Sequence, residues 1–431
     1  MPERKKVLLL TYYWPPAGGA GVQRWLQTST YLVKHFDVTV YHPQNADYPI
    51  IDESLLEKIP TEIKQISQPI REPYAMASRF NSKNADYQKG QIEEKEKRSL
   101  LSKLSLWIRA NWFIPDARAW WIMPSFKFLN QFMKEHPQDV IITTGPPHSV
   151  HIIGLRLKLR HPHLKWLADF RDPWTSIDYF DKLPMRSSAI QKHAKLEKEV
   201  LKYADAITTV SPSWAQELTI TARKPVKTIY NGFDRQDFKK EIHADDQFVI
   251  TYIGSLNDDR NPSELWKVLE EVCKKNEFRN QFILRLIGNI SPHVKNEISQ
   301  YPHLSSKTEF LPFIPHQEAI VMLQRSQILL LLINETPNEK GIIPSKFFEY
   351  LAANRRILCL GNPDSDIAQI MQSTNAGTVI ERHNADAIAE TIKIWFKEFE
   401  NDILNQSVHR NTSKFSRKNA AFEFIDLIEN F

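Results

Sequence analysis

Short apolar runs alternate with amphipathic stretches along most of the chain, and the alternation restarts once. In the first half, Lys6–Thr11 reads as a strand, Val22–His35 as a helix and Val38–Tyr41 as a second strand. A polar, charge-rich and helical insertion spans about Asp52–Ser105. Val140–Thr144 and Leu164–Ala168 are the next strands, with a helix over Val150–Leu159 between them. Ile190–Tyr203 reads as a helix, and Ala206–Val210 and Val226–Ile229 as short strands. Lys239–Gln247 is polar with no apolar period and reads as a linker. Beyond it, Phe248–Ile253, Phe282–Ile287, Ile328–Leu332 and Ile357–Leu360 are strand-like. Ser263–Cys273, Glu318–Arg325, Lys346–Ala353 and Ala385–Phe399 (capped by Asn384) are helix-like. Such alternation predicts an α/β fold of two mostly parallel sheets with helices on both faces. The expected division is a first Rossmann-like domain over 1–240, a second over 248–410, and an amphipathic tail over 411–431. The tail's stripe of Ala420, Phe422, Phe424, Ile425, Leu427 and Ile428 needs a partner surface.

Glycine refines the picture. The chain has only 12 in 431 residues, against a usual frequency of about 7%. Three crowd the loop Gly18-Gly19-Ala20-Gly21 after the first strand, and Gly145, Gly254, Gly288 and Gly361 each follow an apolar run. Glycine at the carboxyl end of a buried strand lets backbone approach a phosphate group. Two nucleotide-binding-type domains facing one cleft are expected.

Composition excludes several classes. Hydrophobic content of 42% and charged content of 25% describe an ordinary globular chain. The apolar run near the start, Val7–Leu10, is too short for a secretory signal, and nothing approaches the ~18 apolar residues of a membrane span. A cytoplasmic location is expected, with Cys273 and Cys359 as reduced, buried thiols lacking metal-ligand spacing. The net charge of +5 is unevenly placed: between 97 and 127, Lys97, Arg98, Lys103, Arg109, Arg118 and Lys127 face one acid, Asp116. Trp107, Trp112, Trp120 and Trp121 share that stretch. It suits either a helix lying on an anionic bilayer, at the inner face of the cytoplasmic membrane, or a core helix with a solvated basic edge. No nucleic-acid-binding motif accompanies it.

Two segments carry candidate chemistry. The loop over residues 15–21 precedes a helix start, whose free N–H groups favour an anion; a plain tight turn is the alternative. A dinucleotide motif fits poorly, because Arg24 stands where the third glycine belongs and His42, not an acid, follows the second strand. In the segment Lys340–Leu351, Pro344 precedes a helix with Ser345 in the capping position. Lys346 and Glu349, three apart, share a face. Lysine beside free N–H groups is a diphosphate site, and a carboxylate one turn on can bind ribose hydroxyls; a surface ion pair is the alternative.

Together with its neighbours this segment resembles glycosyltransferase family 4 of the GT-B superfamily. The resemblance runs through the glycine-rich loop, Tyr230-Asn231-Gly232-Phe233-Asp234, Tyr252-Ile253-Gly254-Ser255-Leu256, Leu286-Ile287-Gly288-Asn289, Phe310-Leu311-Pro312-Phe313 and the Pro344-Ser345-Lys346…Glu349-Tyr350 block. It implies two Rossmann-like domains with a central cleft, a sugar nucleotide bound by the second, and a tail after about Asn411 that packs back on the first. By resemblance, Arg260 and Lys346 pair with the diphosphate and Glu349 holds the ribose. Asn289 and the backbone near Phe313 flank the base, while Gly254, Ser255, Gly288, Gly341 and Ser345 complete the donor site. His148 and Asp172 would contact the transferred sugar and the acceptor, with Gly18 and Gly19 on the acceptor side. Arg171 has Asp169 or Asp172 as a candidate ion-pair partner.

Two positions depart from the family pattern. Gly341, eight before Glu349, takes the place of the family's first glutamate, with Glu339 out of register. Ser255 replaces a common arginine. Asp364-Ser365-Asp366 matches the metal motif of the other glycosyltransferase fold, but here suits helix capping. The expected activity is sugar transfer from a UDP- or GDP-sugar to a hydroxyl of a lipid-linked surface glycan, with retention and with neither cofactor nor metal. An inactive GT-B binding protein and a GT-B sugar-nucleotide epimerase are the alternatives.

Overall fold

The computed structural model describes residues 3–71, 100–177, 180, 182–238, 242–404 and 410–431. Within it the chain forms two compact units, Met1–Asn231 with Arg417–Phe431, and Gly232–Ser416. The breaks thus fall at Asn231/Gly232 and Ser416/Arg417, rather than near 240 and 410.

The first unit is built on seven parallel strands: β1 (Lys6–Thr11), β2 (Asp37–Pro43), β3 (Lys64–Gln68), β4 (Val140–Gly145), β5 (Lys165–Phe170), β6 (Ala206–Thr209) and β7 (Lys227–Thr228). Their order is β3-β2-β1-β4-β5-β6-β7. The central strands are continuous apolar runs because helices cover both faces of the sheet. Those helices are α1 (Ala20–Leu32), α2 (Leu100–Trp112), α3 (Ile122–Glu135), α4 (Ser149–Arg160), α5 (Ser187–Tyr203) and α6 (Pro212–Ala222). Strand β3 lies inside the segment expected to be a helical insertion. It is a half-exposed edge strand with Ile66 as its single aliphatic residue, so it lacks the apolar run that reveals a buried strand. The rest of that expectation, over 72–99, lies outside the described residues.

The second unit repeats the plan with β8 (Phe248–Ile253), β9 (Phe282–Ile287), β10 (Thr308–Leu311), β11 (Ile328–Leu332), β12 (Arg356–Leu360) and β13 (Gly377–Ile380). Their order is β10-β9-β8-β11-β12-β13, all parallel. Around them run α7 (Ser263–Cys273), α8 (Asn276–Gln281), α9 (Pro292–Ser299), α10 (Pro302–Ser305), α11 (His316–Arg325), α12 (Ser345–Ala353), α13 (Asp366–Thr374) and α14 (Ala385–Glu400). Ser365 caps α13 by accepting from Ala368 N, and Asn384 caps α14 by accepting from Ala387 N. Both cysteines are buried and free, and burial pushes each thiol up to about 12.

The last helix, α15 (Arg417–Glu429), returns to the first unit. Ala420, Phe424, Ile425 and Ile428 join Val22, Trp25 and Leu26 of α1 in one cluster. Trp25 and Phe424 have ring centroids 4.7 Å apart. The apolar stripe of the tail thereby finds its partner surface.

Candidate functional site

In the carboxyl-terminal unit the strand order reverses between β8 and β11, and at such a switch point open α/β sheets take their ligands beyond the carboxyl ends of the strands. Strand β8 runs into Gly254, whose φ of +136° only glycine holds without strain. A Cβ there would sit 3.3 Å from Lys346 Nζ, so the bare backbone leaves room directly in front of the ammonium. Gly288, after β9, is needed for a different reason. Its Cβ would lie 2.5 Å from Gly254 O, so it lets two loops close on each other.

Lys346 enters from the first turn of α12. Its Nζ donates to Ile253 O at 3.3 Å and lies 4.1 Å from the Tyr252 ring centroid. Burial first, and the Arg260 charge second, depress this ammonium to about 7. Buried Cys359 acts in the opposite direction, and no carboxylate among the described residues contributes. Arg260 donates from Nε to Asn334 Oδ1 and also hydrogen-bonds the Tyr252 hydroxyl, which itself donates to Ser255 O at 2.7 Å. Two cations therefore share one glycine-floored spot beside the start of a nine-residue helix, an arrangement suited to a diphosphate.

The remaining expected donor residues lie on α12 and on loops of the same unit. Glu349 Oε1 is 3.0 Å from His316 Nε2 at the start of α11. Asn289 is exposed and Phe313 is 87% exposed, on the loops after β9 and β10. Gly341 is buried in a short 3-10 turn, and Glu339 is engaged by Asn362 Nδ2 at 3.0 Å. Ser345 is not the cap: Pro344 holds that position with extended backbone, and Ser345 is the first helical residue, making no side-chain cap bond. Asn334 and His316 carry no signal in sequence, and Tyr252 stands there only as part of a motif. Each stands at an end of a regular element with no spacing rule that marks it.

In the amino-terminal unit the reversal lies between β1 and β4. Gly19 precedes α1 with φ +87°, and Gly18 packs against Ile50, where a Cβ would meet Cγ2 at 2.8 Å. Gly18 therefore serves loop packing rather than an open backbone approach. Arg171 donates to Gly21 O at 3.0 Å and to Pro146 O, tying the loop after β1 to the loop after β4. Of its two expected partners, Asp169 belongs instead to Arg24, at 2.8 and 3.1 Å, and Asp172 is the carboxylate whose charge acts most on Arg171. Asp172 is half-buried beside Arg171. His148, 7% exposed, stacks on Trp174 with ring planes 2° apart. Burial, helped by His151, His193 and Arg171, holds it well below the usual histidine range, so it is neutral at physiological pH. Among the described residues, no group of three or more His, Cys, Asp or Glu side chains could hold a metal ion.

Two Rossmann-like domains in one chain define the GT-B fold, and the solved structures that match are of that kind. Anabaena Alr3699/HepE in complex with UDP aligns over 99% of this chain and 100% of its own, at 13% identity and a TM-score of 0.63. The E. coli trehalose-6-phosphate structure bound with UDP-2-fluoro glucose aligns over 99% of each chain, at 11% identity and a TM-score of 0.62. S. aureus TarM, in complex with Fondaparinux, alpha-GlcNAc-glycerol and UDP, aligns over 98% of this chain and 99% of its own, at 10% identity and a TM-score of 0.60. Residues 233–414 match the family model of glycosyl transferases group 1, a span that coincides almost completely with the carboxyl-terminal unit. No curated protein matches the sequence.

Proposed function

We propose that this protein is a glycosyltransferase of the family 4 type, moving a sugar from a UDP- or GDP-sugar to a hydroxyl of a growing, lipid-linked surface glycan. The observation that carries the reading is the convergence of Lys346, Arg260 and the bare backbone of Gly254 at the switch point of the unit that matches glycosyl transferases group 1. Lys346, Arg260 and the amino terminus of α12 would take the charge of the departing nucleoside diphosphate, so the proposed reaction needs no metal. Glu349 would accept the ribose hydroxyls once His316 yields, and Asn289 and Phe313 would flank the base. We assign the acceptor to the amino-terminal unit, with Asp172 and the Gly18-Gly19 loop nearest it. His148, as a neutral imidazole, could hydrogen-bond a sugar hydroxyl without adding charge. Retention is inferred from the family resemblance, with Gly341 leaving one carboxylate contact to the sugar unfilled. Incubation with a panel of UDP- and GDP-sugars, with and without glycan acceptors and scored by mass, tests the reading. Transfer supports it; epimerised free nucleotide or no turnover with any donor overturns it in favour of an epimerase or a binding protein.

The lipid-linked acceptor implies work at a membrane, and the stretch 97–127 is our candidate for the contact. Lys97 and Arg98 lie outside the described residues, and no helix among the described residues is long and apolar enough to cross a membrane. On α2, Leu104, Ile108 and Trp112 follow at intervals of four and are exposed, Trp112 at 74%. Trp120 is 55% exposed, and Lys103 and Lys127 are exposed nearby in sequence. Trp121, by contrast, is buried in the core, and Trp107 lies under Arg186. The wild type is expected to co-sediment with phosphatidylglycerol vesicles and not with phosphatidylcholine. Replacing Trp112 and Trp120 by serine should abolish sedimentation; unchanged sedimentation would remove these residues from the contact.

A further inference from the structure

One buried arginine outside the donor motif spans both loops of the switch point. Arg382 follows β13, at the far edge of the second sheet, and is 7% exposed. Its Nη1 donates to Asp259 O at 3.0 Å, on the loop after β8. Its Nη2 donates to Ile333 O, at the start of the loop after β11. Its Nε lies 3.7 Å from the Glu335 carboxylate, which His383 also meets at 3.2 Å. Asp259 precedes Arg260, and Ile333 precedes Asn334, the residue that receives Arg260 Nε. The guanidinium of Arg382 and that of Arg260 thus join the same two loops. Buried arginine is suited to this task because its planar fork holds two acceptors at fixed spacing, which lysine cannot do.

We infer that Arg382 is a positioning residue for the diphosphate: it holds Arg260 and the loop over 258–260 in the orientation that meets the phosphates. This rests on the proposed sugar-nucleotide reading of the site. With Arg382 removed, two backbone carbonyls lose their donor, and Arg260 keeps its charge but loses the fixed distance to its partner loop. The loss should therefore appear in recognition of the phosphates and not of the nucleoside.

The test is a double-substitution cycle read by calorimetric binding of UDP against uridine, and of GDP against guanosine. Arg382→Gln is expected to weaken nucleoside diphosphate binding about tenfold, the scale of one charge-assisted hydrogen bond, while leaving nucleoside binding unchanged. Arg260→Ala should cost about the same in the wild type but under about twofold once Arg382 is glutamine, because both act through one guanidinium. Arg382→Lys, which retains the charge without the fork, should resemble Arg382→Gln. Equal weakening of diphosphate and nucleoside, effects of Arg260 and Arg382 that multiply, or failure of both Arg382 variants to fold would each overturn the inference in favour of a structural role. Wild-type protein that binds neither UDP nor GDP would instead sink the function reading from which the inference starts.

Discussion

Lys346→Ala is expected to lower sugar transfer at least about tenfold, and about a hundredfold if Lys346 is the main donor to the leaving diphosphate, while leaving the fold intact. The residue occupies a place no stability argument would choose for a lysine. Burial and Arg260 hold its ammonium at about 7 against an ordinary 10.5, and no carboxylate among the described residues compensates. Between pH 7 and 10.5 the folded state binds fewer protons at this position than the unfolded chain, so its cost is fully present below about 7 and fades as pH rises toward 10.5. Thermal melts should accordingly show Lys346→Ala more stable than wild type near pH 6, with the two converging in alkali. A diphosphate reverses the electrostatics by favouring the charged form. Binding of UDP or GDP near pH 8 should then take up as much as about one proton, measurable by calorimetry in buffers of different ionisation enthalpy. An undiminished rate in the alanine variant, or binding without proton uptake, would remove Lys346 from the phosphate site.

The parts of this molecule that were legible in sequence share a physical cause. Central parallel strands are buried on both faces, so β1, β4, β8 and β11 appear as largely apolar runs, broken only by threonine and a terminal lysine or glycine. Edge strands carry no such signal. β3, β10 and β13 are half-exposed and mixed in composition, and each was passed over or seen only as part of a motif. The glycines after β8 and β9 stand out in sequence, but only the fold shows that Gly254 opens space before Lys346 while Gly288 admits a carbonyl. Lys346 and Glu349 were readable because three-residue helical spacing is local. His316, Asn334, Tyr252 and Arg382 were not, because their roles depend on which strands stand side by side. Arg382 lies 122 positions from Arg260 along the chain and reaches it only through the order of the sheet. The same limit explains Asp169. Sequence offers it, with Asp172, as a partner for nearby Arg171, whereas the fold gives it Arg24, 145 positions away.

Asp169→Ala is expected to destabilise the amino-terminal unit by about 3–5 kcal/mol, the usual cost of stranding one half of a buried ion pair. The Arg24 and Asp169 side chains are 2% and 0% exposed. The carboxylate also accepts from Trp25 Nε1 at 2.8 Å, Thr144 Oγ1 at 3.0 Å and Thr208 Oγ1 at 2.8 Å, joining α1 to β4 and β6 through β5. Arg24 in turn donates to Ile229 O and Tyr230 O, pinning the end of the unit. Burial by itself would raise the Asp169 pKa, but Arg24 and the hydrogen bonds together outweigh it and leave the group below the ordinary 3.8. A depressed carboxylate stabilises above its unfolded value and loses that contribution as pH falls through its folded one. The advantage of wild type over Asp169→Ala in urea unfolding should therefore hold from neutral pH down to about 3.8 and shrink only below it. Replacing both partners at once, as Arg24→Met with Asp169→Leu, removes the stranded charge and should recover most of the loss, since well-packed apolar groups often match a buried pair. Asp169→Ala with an unchanged urea midpoint would show that water or a moved side chain already satisfies Arg24. A double variant no better than the single would place the stabilisation in the hydrogen bonds from Trp25, Thr144 and Thr208 rather than in the charge pair.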